Sequence, residues 1–320
     1  MRGSTSRLFR SAARTMQSPS ALLPTFHTSL QSFASSPSTF LILHTIPISA
    51  PPSSTSSQIK TVHVLDSSFN PPTRAHLRIA LSALQSTRNA SKPQRLLLLL
   101  ATQNADKAPR PATFEQRLAM MTILAQDILD QYHPTATSQG STAQNGMHEE
   151  SLLAVDIGVT KYPYFHDKAI SIDEFKSYAG PATGEQPQQV HLLGYDSLIR
   201  LLDTKYYPPD HTLDPLSALF NKHRIRVTRR MEDGDKYGTA EEQDRMWEAL
   251  ARGERESEGG KREWAERIEM VEGEGEAMSS TKVREGVGKG DWALVERLVG
   301  KGVREQVQGE GLYVADDKEG

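Results

Sequence analysis

The chain has 320 residues, with 37 Lys and Arg against 40 Asp and Glu, and no cysteine. Without cysteine there is no disulfide, no thiolate nucleophile and no Cys-ligated zinc or iron–sulfur site. No apolar run approaches the roughly 20 residues a membrane helix needs, so no membrane partner is expected. The charge is unevenly spread. Residues 1–65 carry Arg2, Arg7, Arg10, Arg14 and Lys60 and no acid, which leaves 32 bases against 40 acids, a formal charge of −8, for 66–320. An acidic body argues against a phosphate-backbone binder, so no nucleic-acid partner is expected either.

Residues 1–15 are Arg-rich, Ser-rich and acid-free, which fits either a mitochondrial targeting leader or a disordered tail. A start at Met16 would remove the four arginines. Residues 16–59 hold a helix and a Ser/Pro-rich loop. Leu22, Leu23, Phe26, Leu30 and Phe33 fall near helical spacing, predicting an amphipathic helix over 20–34 docked on the body, with Pro24 in its first turn. The apolar run Phe40–Leu43 is too short to assign to helix or strand, and Pro47–Gln58 reads as a loop. From residue 61 strands and helices alternate. Thr61–Leu65 reads as a strand, Arg74–Ser86 as a helix, and Gln94–Ala101 as a strand buried on both faces, because its leucines are unbroken. Thr113–Asp130 is a helix; Leu152–Ile157, Val190–Leu193 and the shorter Ile225–Val227 are strands. His133–Ser151 reads as a polar surface insertion. The Glu-crowded stretch 241–276 reads as a solvated helix face with a flexible loop at Gly253–Gly260, a second insertion near 252–262. The pattern predicts an α/β fold, an open parallel sheet with helices on both faces and a small C-terminal helical part. The main domain is expected over 60–312, with a tail at 313–320.

The turn after the first of these strands carries the densest chemistry: Asp66-Ser67-Ser68-Phe69-Asn70-Pro71-Pro72-Thr73-Arg74-Ala75-His76. In an open parallel sheet the loop leaving a strand's C-terminal end feeds the ligand crevice. Small Ser67 and Ser68 let backbone N–H groups approach a phosphate, and the following helix presents its positive end. Thr73 and His76, three apart, face one side of that helix start. Spacing alone fits an incidental histidine after a Pro turn equally well. A second cluster, Met278-Ser279-Ser280-Thr281-Lys282-Val283-Arg284, offers a helix cap, hydroxyls and an arginine to an anion.

The two clusters together resemble the signatures of the nucleotidylyltransferase superfamily: a Gly/Ser-x-Phe-x-Pro-x-His/Thr-x-x-His turn after strand one and a late Ile-Ser-Ser-Thr-x-Ile-Arg. The Phe-Asn-Pro form, Thr73 in place of the first His, and His76-Leu77-Arg78 are most similar to the nicotinamide mononucleotide adenylyltransferases, in a divergent fungal branch. The resemblance spans roughly 60–300 and implies a Rossmann-like sheet. It also implies a role for each matching residue. Ser67, Ser68, Phe69 and Asn70 form the phosphate turn, with Ser68 and Phe69 lending amides to the ATP phosphates. His76 binds near the α-phosphate with Thr73 beside it, and Arg284 completes the catalytic set. Lys107, in Asn104-Ala105-Asp106-Lys107, matches a basic residue near the nucleotide phosphate; Arg117 matches the Arg of a His-Arg-x-x-Met stretch whose His is Gln116 here. Gly194 and Asp196 match a Gly-x-Asp in which the carboxylate contacts ribose hydroxyls. Arg229 lies where a loop meets the adenine, and Ser279, Ser280 and Thr281 line the nucleotide. Two departures stand out: Ser67 replaces a common Gly, and Tyr206 and Tyr207 occupy the place of a Trp that stacks on nicotinamide.

The implied reaction joins ATP and nicotinamide mononucleotide to NAD⁺ and pyrophosphate, with Mg²⁺ carried on the ATP phosphates and small nucleotides as the only expected partners. An anionic phosphate attacks the α-phosphorus, so positioning and charge neutralisation are what the protein must supply. No dedicated metal ligands are expected. Other readings stay open: another nucleotidylyltransferase or an ATP hydrolase of the same fold, or a catalytically weak nucleotide-binding regulator. The sequence leaves open nicotinamide against nicotinate and the oligomeric state. The expected location is cytoplasm and nucleus, or the mitochondrion where the Arg-rich leader is used.

Overall fold

The computed structural model describes residues 18–46, 59–87, 94–103, 111–132, 153–180, 183–230, 237–273 and 278–314. The basic leader, Met16, Lys107, the loop at 47–58 and the whole of the insertion at 133–151 lie outside them. Seven strands form one sheet: β1 Phe40–Ile46, β2 Thr61–Asp66, β3 Gln94–Ala101, β4 Ala154–Thr160, β5 Gln188–Gly194, β6 Arg224–Thr228 and β7 Ile268–Val271, in the order β1-β4-β3-β2-β5-β6-β7. All pairs are parallel except β1 with β4. From β2 the chain winds outward through β3 and β4, then restarts on the other side with β5, β6 and β7. That reversal between β2 and β5 is the switch point of a doubly wound, Rossmann-like sheet, where ligands of such folds sit.

The leucine run of β3 shows why the sheet is central. Leu96, Leu98 and Leu100 point to one face and Leu97 and Leu99 to the other, all buried, as the two-residue period of a strand requires. On the first face lie α1 (Leu23–Ser35), α2 (Arg74–Ser86) and α3 (Phe114–Tyr132). The expected N-terminal helix does dock: Phe26 and Phe33 are 1% and 2% exposed, each burial favouring the docked helix by about 2–3 kcal/mol. The opposite face is covered by α4 (Phe165–Asp173), α5 (Tyr195–Leu201), α6 (Ser217–Phe220) and α7 (Ala240–Ala251). The C-terminal part is α8 (Ser280–Gly288), α9 (Trp292–Leu298) and α10 (Lys301–Gly309), whose valines and leucines pack on Ala112 and Met120.

Two strands go beyond the sequence reading. The run at 40–43 opens β1, an antiparallel edge strand whose Ile42 lies opposite Gly158 of β4. A Cβ on Gly158 would stand 3.0 Å from the Phe40 ring and 2.9 Å from Leu97, so glycine leaves those two side chains their places. The second is β7, inside the Glu-rich stretch. Nor is Gly253–Gly260 a flexible loop. Gly253 and Gly259 take left-handed φ of 79° and 87°, and Leu213 N–H donates to Glu258 O at 2.7 Å. Arg252, Arg255 and Arg262 each pair with a glutamate of the same stretch; the Arg252 and Arg262 pairs are exposed to water, and backbone hydrogen bonds carry the turn.

Candidate active site

A crevice opens at the C-terminal ends of β2 and β5, in two lobes. The first, about 270 Å³, is lined by Ser67, Thr73, His76, Gly194, Asp196, Arg229, Arg230, Ser279 and Ser280, among others. The second, about 350 Å³, is lined by Ser68, Arg117, Tyr164, Lys168, Arg200, Tyr206 and Tyr207. Asp66, Ser67, Asp196 and Ser197 belong to both and mark the seam. Each lobe is sized for part of a small ligand, and together they reach the range of a nucleotide-sized cleft.

The floor is built by the turn after β2. Thr73 caps α2, and its backbone N–H donates to His76 Nδ1 at 2.9 Å. This is a capping box with histidine where Glu or Gln is usual. A backbone amide can only donate, so Nδ1 carries no proton and the neutral ring carries its proton on Nε2. Nε2 lies 2.9 Å from Ser67 Oγ, at the crevice. Burial, helped by the charge of Arg230, lowers the His76 pKa from 6.5 to about 4. The ring is therefore a fixed, neutral N–H donor. Phe69, fully buried against His76 at 5.1 Å between ring centroids, holds a φ of +44°, strained for a residue with a Cβ.

The late motif holds this strained turn in place. Ser280 Oγ donates to Pro71 O at 2.8 Å, and Arg284 donates to Asn70 O at 2.7 Å and to Thr281 Oγ1 at 3.0 Å. Ser279 caps α8 by accepting from Lys282 N–H. The structure thus joins the two sequence clusters through side chains rather than mere proximity, Ser280 reaching a residue 209 positions away. Arg284 grips the turn and does not line either lobe. Tyr313, which the sequence reading assigns to the tail, is 8% exposed and donates from Oη to Asn70 Oδ1 at 2.8 Å.

At the end of β5, Asp196 accepts from Arg230 at 3.0 Å. A Cβ on Gly194 would lie 2.9 Å from Asp196 Oδ1, so glycine leaves that carboxylate its place. Arg229, expected near an adenine, is bound by both oxygens of Asp244 at 2.9 Å. Arg117 is 3% exposed, donates to Ala112 O and lies 5.3 Å from the Phe114 ring centroid; it is no surface arginine. The two tyrosines divide. Tyr206 is half-buried and lines the second lobe, while Tyr207 is buried and spends its hydroxyl on Leu201 O at 2.6 Å. Among the lining residues the sequence reading did not select are Arg230, adjacent to the arginine it selected, Arg200, and the buried ion pair of Lys168 with Asp66. Asp66 stands directly before the motif, a signal that was available. Nothing in the spacing of α4 marks Lys168.

No family model matches the chain. A Schizosaccharomyces pombe protein named "Putative nicotinamide mononucleotide adenylyltransferase" is 31% identical over 273 residues, covering 84% of this chain and 89% of that protein. Two solved structures of Plasmodium falciparum nicotinic acid mononucleotide adenylyltransferase, one complexed with NaAD and one with APC, match with TM-scores of 0.44 and 0.42. Their identities are 12% and 11%, and each match covers 79% of this chain and 97% of the other. At those values nothing about this site rests on them. The fission-yeast relationship extends over most of both chains, and by it the chain belongs to the nucleotidylyltransferase superfamily, among the mononucleotide adenylyltransferases of NAD biosynthesis.

Proposed function

We propose that the chain transfers the adenylyl group of ATP to nicotinamide mononucleotide, giving NAD⁺ and pyrophosphate. The observation that carries this reading is the two-lobed crevice at the switch point, with the start of α2 in its first lobe and the fixed Nε2–H of His76 against Ser67 at the seam. In this reading ATP occupies the first lobe, its ribose toward Asp196 and its phosphates toward Ser67, Ser68 and His76. The mononucleotide occupies the second lobe, with Tyr206 as the stacking surface. Its phosphate is already an anion, so it attacks the α-phosphorus without a protein base, and pyrophosphate leaves in line. His76 turns its one N–H from Ser67 Oγ to a phosphoryl oxygen and needs no change of protonation to do so. The helix dipole and the amides of the turn stabilise the charge that builds there.

Among the described residues no three His, Asp or Glu side chains converge as a metal site. Asp66 and Asp196, at the seam, are each engaged by a cation. That donor set fits a Mg²⁺ held by phosphate oxygens and water, which would neutralise charge on the leaving pyrophosphate.

The test incubates the full chain with ATP, Mg²⁺ and several phosphorylated acceptors in parallel, nicotinamide and nicotinate mononucleotides included. Dinucleotide with pyrophosphate supports the reading and ranks the acceptors. Phosphate release without dinucleotide assigns an ATP hydrolase, and ATP binding without turnover a regulator. For location we propose cytoplasm and nucleus, or the mitochondrion through the Arg-rich leader; fluorescent fusions started at Met1 and at Met16 decide between them.

A further inference from the structure

Lys168 is 4% exposed in the wall of the second lobe, near the start of α4, and its partner Asp66 faces both lobes. Withdrawing an ammonium and a carboxylate from water is costly, and such a pair seldom stabilises a fold more than an apolar pair of the same volume. Where such a pair borders a cleft, the donors it leaves unspent face a ligand of complementary charge. The charges of the lobe do not cancel. Arg117 and Lys168 face it with Asp66 and Asp196, and Asp196 is already held by Arg230 from the first lobe. An anion is what the lobe lacks.

The position of the pair narrows the anion. Asp66 ends β2 directly before Ser67, whose hydroxyl meets His76. Lys168 therefore sits where a group from the second lobe must come to reach a phosphate held over the turn. An ammonium has three donors, and Asp66 takes one of them. The carboxylate also holds in one direction a lysine stem that would otherwise sample many rotamers.

We propose that Lys168 receives the phosphate of the acceptor mononucleotide and holds it at the seam, with Asp66 as the positioning residue that aims the ammonium. This rests on the function proposed above. It adds a cation from α4 to the phosphate-binding groups of the two motifs, and it makes the phosphate, more than the pyridine ring, the part of the acceptor that the second lobe reads.

Calorimetry on the full chain with nicotinamide mononucleotide and with nicotinamide riboside, which lacks the phosphate, tests it. The wild-type chain should prefer the mononucleotide by about tenfold or more, the scale of one charge-assisted contact. The double variant D66N/K168Q replaces the ion pair by amides of similar size. It should melt near wild type, keep its ATP affinity and lose most of that preference. Undiminished preference in D66N/K168Q overturns the inference. A second measurement requires no folded variant other than the conservative one: with lysine labelled at ¹⁵Nζ, and its Lys168 resonance identified by its loss in K168R, the signal should shift with mononucleotide and not with riboside. A shift with both, or with neither, overturns the inference. A wild-type chain that binds neither nicotinamide nor nicotinate mononucleotide overturns the proposed function as well. One that makes NAD⁺ while D66N/K168Q keeps the preference overturns this inference alone.

Discussion

His76 should remain neutral far below the pH at which an ordinary histidine takes up a proton. Its ring is enclosed beneath the crevice, and burial, with the charge of Arg230 adding to it, lowers its pKa from 6.5 to about 4 against the smaller raising effect of Asp196. That displacement corresponds to about 3 kcal/mol in favour of the neutral ring. At pH 6 about 1% of His76 would be protonated, against roughly three-quarters of a histidine with the ordinary value. The folded value lies below the unfolded one, so the unfolded chain binds more protons between them. The stability His76 contributes is therefore complete above about pH 6.5 and lost as pH falls toward 4. Imidazole ¹H–¹⁵N spectra across pH 3–8 read both the midpoint and the tautomer. The expected result is an Nε2–H ring with a midpoint near 4, moved upward in Arg230→Ala. A midpoint of 6 or more, or an Nδ1–H ring, would refute the reasoning from which the donor role is built.

Other consequences are equally direct. Tyr206→Ala should raise the KM for the mononucleotide more than that for ATP. Tyr207→Phe, which loses only the bond to Leu201 O, should cost about 1 kcal/mol in urea unfolding and leave both KM values alone; equal kinetic effects would reject the stacking surface. Arg284→Ala frees the Asn70 carbonyl end of the strained turn and should lower kcat/KM for ATP by about tenfold or more, since one charged hydrogen bond is lost; unaltered ATP kinetics would count against it. Asp156 is fully buried and accepts from Arg95, Tyr178 and Thr45. Asp156→Ala should destabilise by about 3 kcal/mol, the low end for a broken buried pair because Arg95 is partly exposed; a loss under 1 kcal/mol in urea titration would show that the network does not hold β1 and β4 to the sheet.

Much of the parallel sheet was legible because burial on both faces demands an unbroken apolar run, and few sequences other than a central strand show one like Leu96–Leu100. Helix α2 was legible to the residue, since Pro71-Pro72 and Thr73 punctuate its start. The edges were harder. β1 has a single buried residue at each end and a register shift between Ile42 and His44, so its pattern has no clean period. The four residues of β7 sit in a Glu-rich stretch, and one of them, Glu269, is matched to Arg226 of β6. A charge run reads as solvated until its partners are in view.

The sequence by itself determined the sheet's centre, the capped turn after its first parallel strand and the second cluster of hydroxyls with Arg284, because these rest on local period, punctuation and helix capping. Only the tertiary structure decided what those residues do to one another. It showed that Arg284 and Ser280 hold the strained turn, that an amide of Thr73 sets the tautomer of His76, and that Lys168 and Arg230 face the crevice. The reason is physical: capping and periodicity act within a few residues, whereas charge pairing and desolvation depend on which distant groups are brought within a few ångströms, and no spacing along the chain encodes that distance.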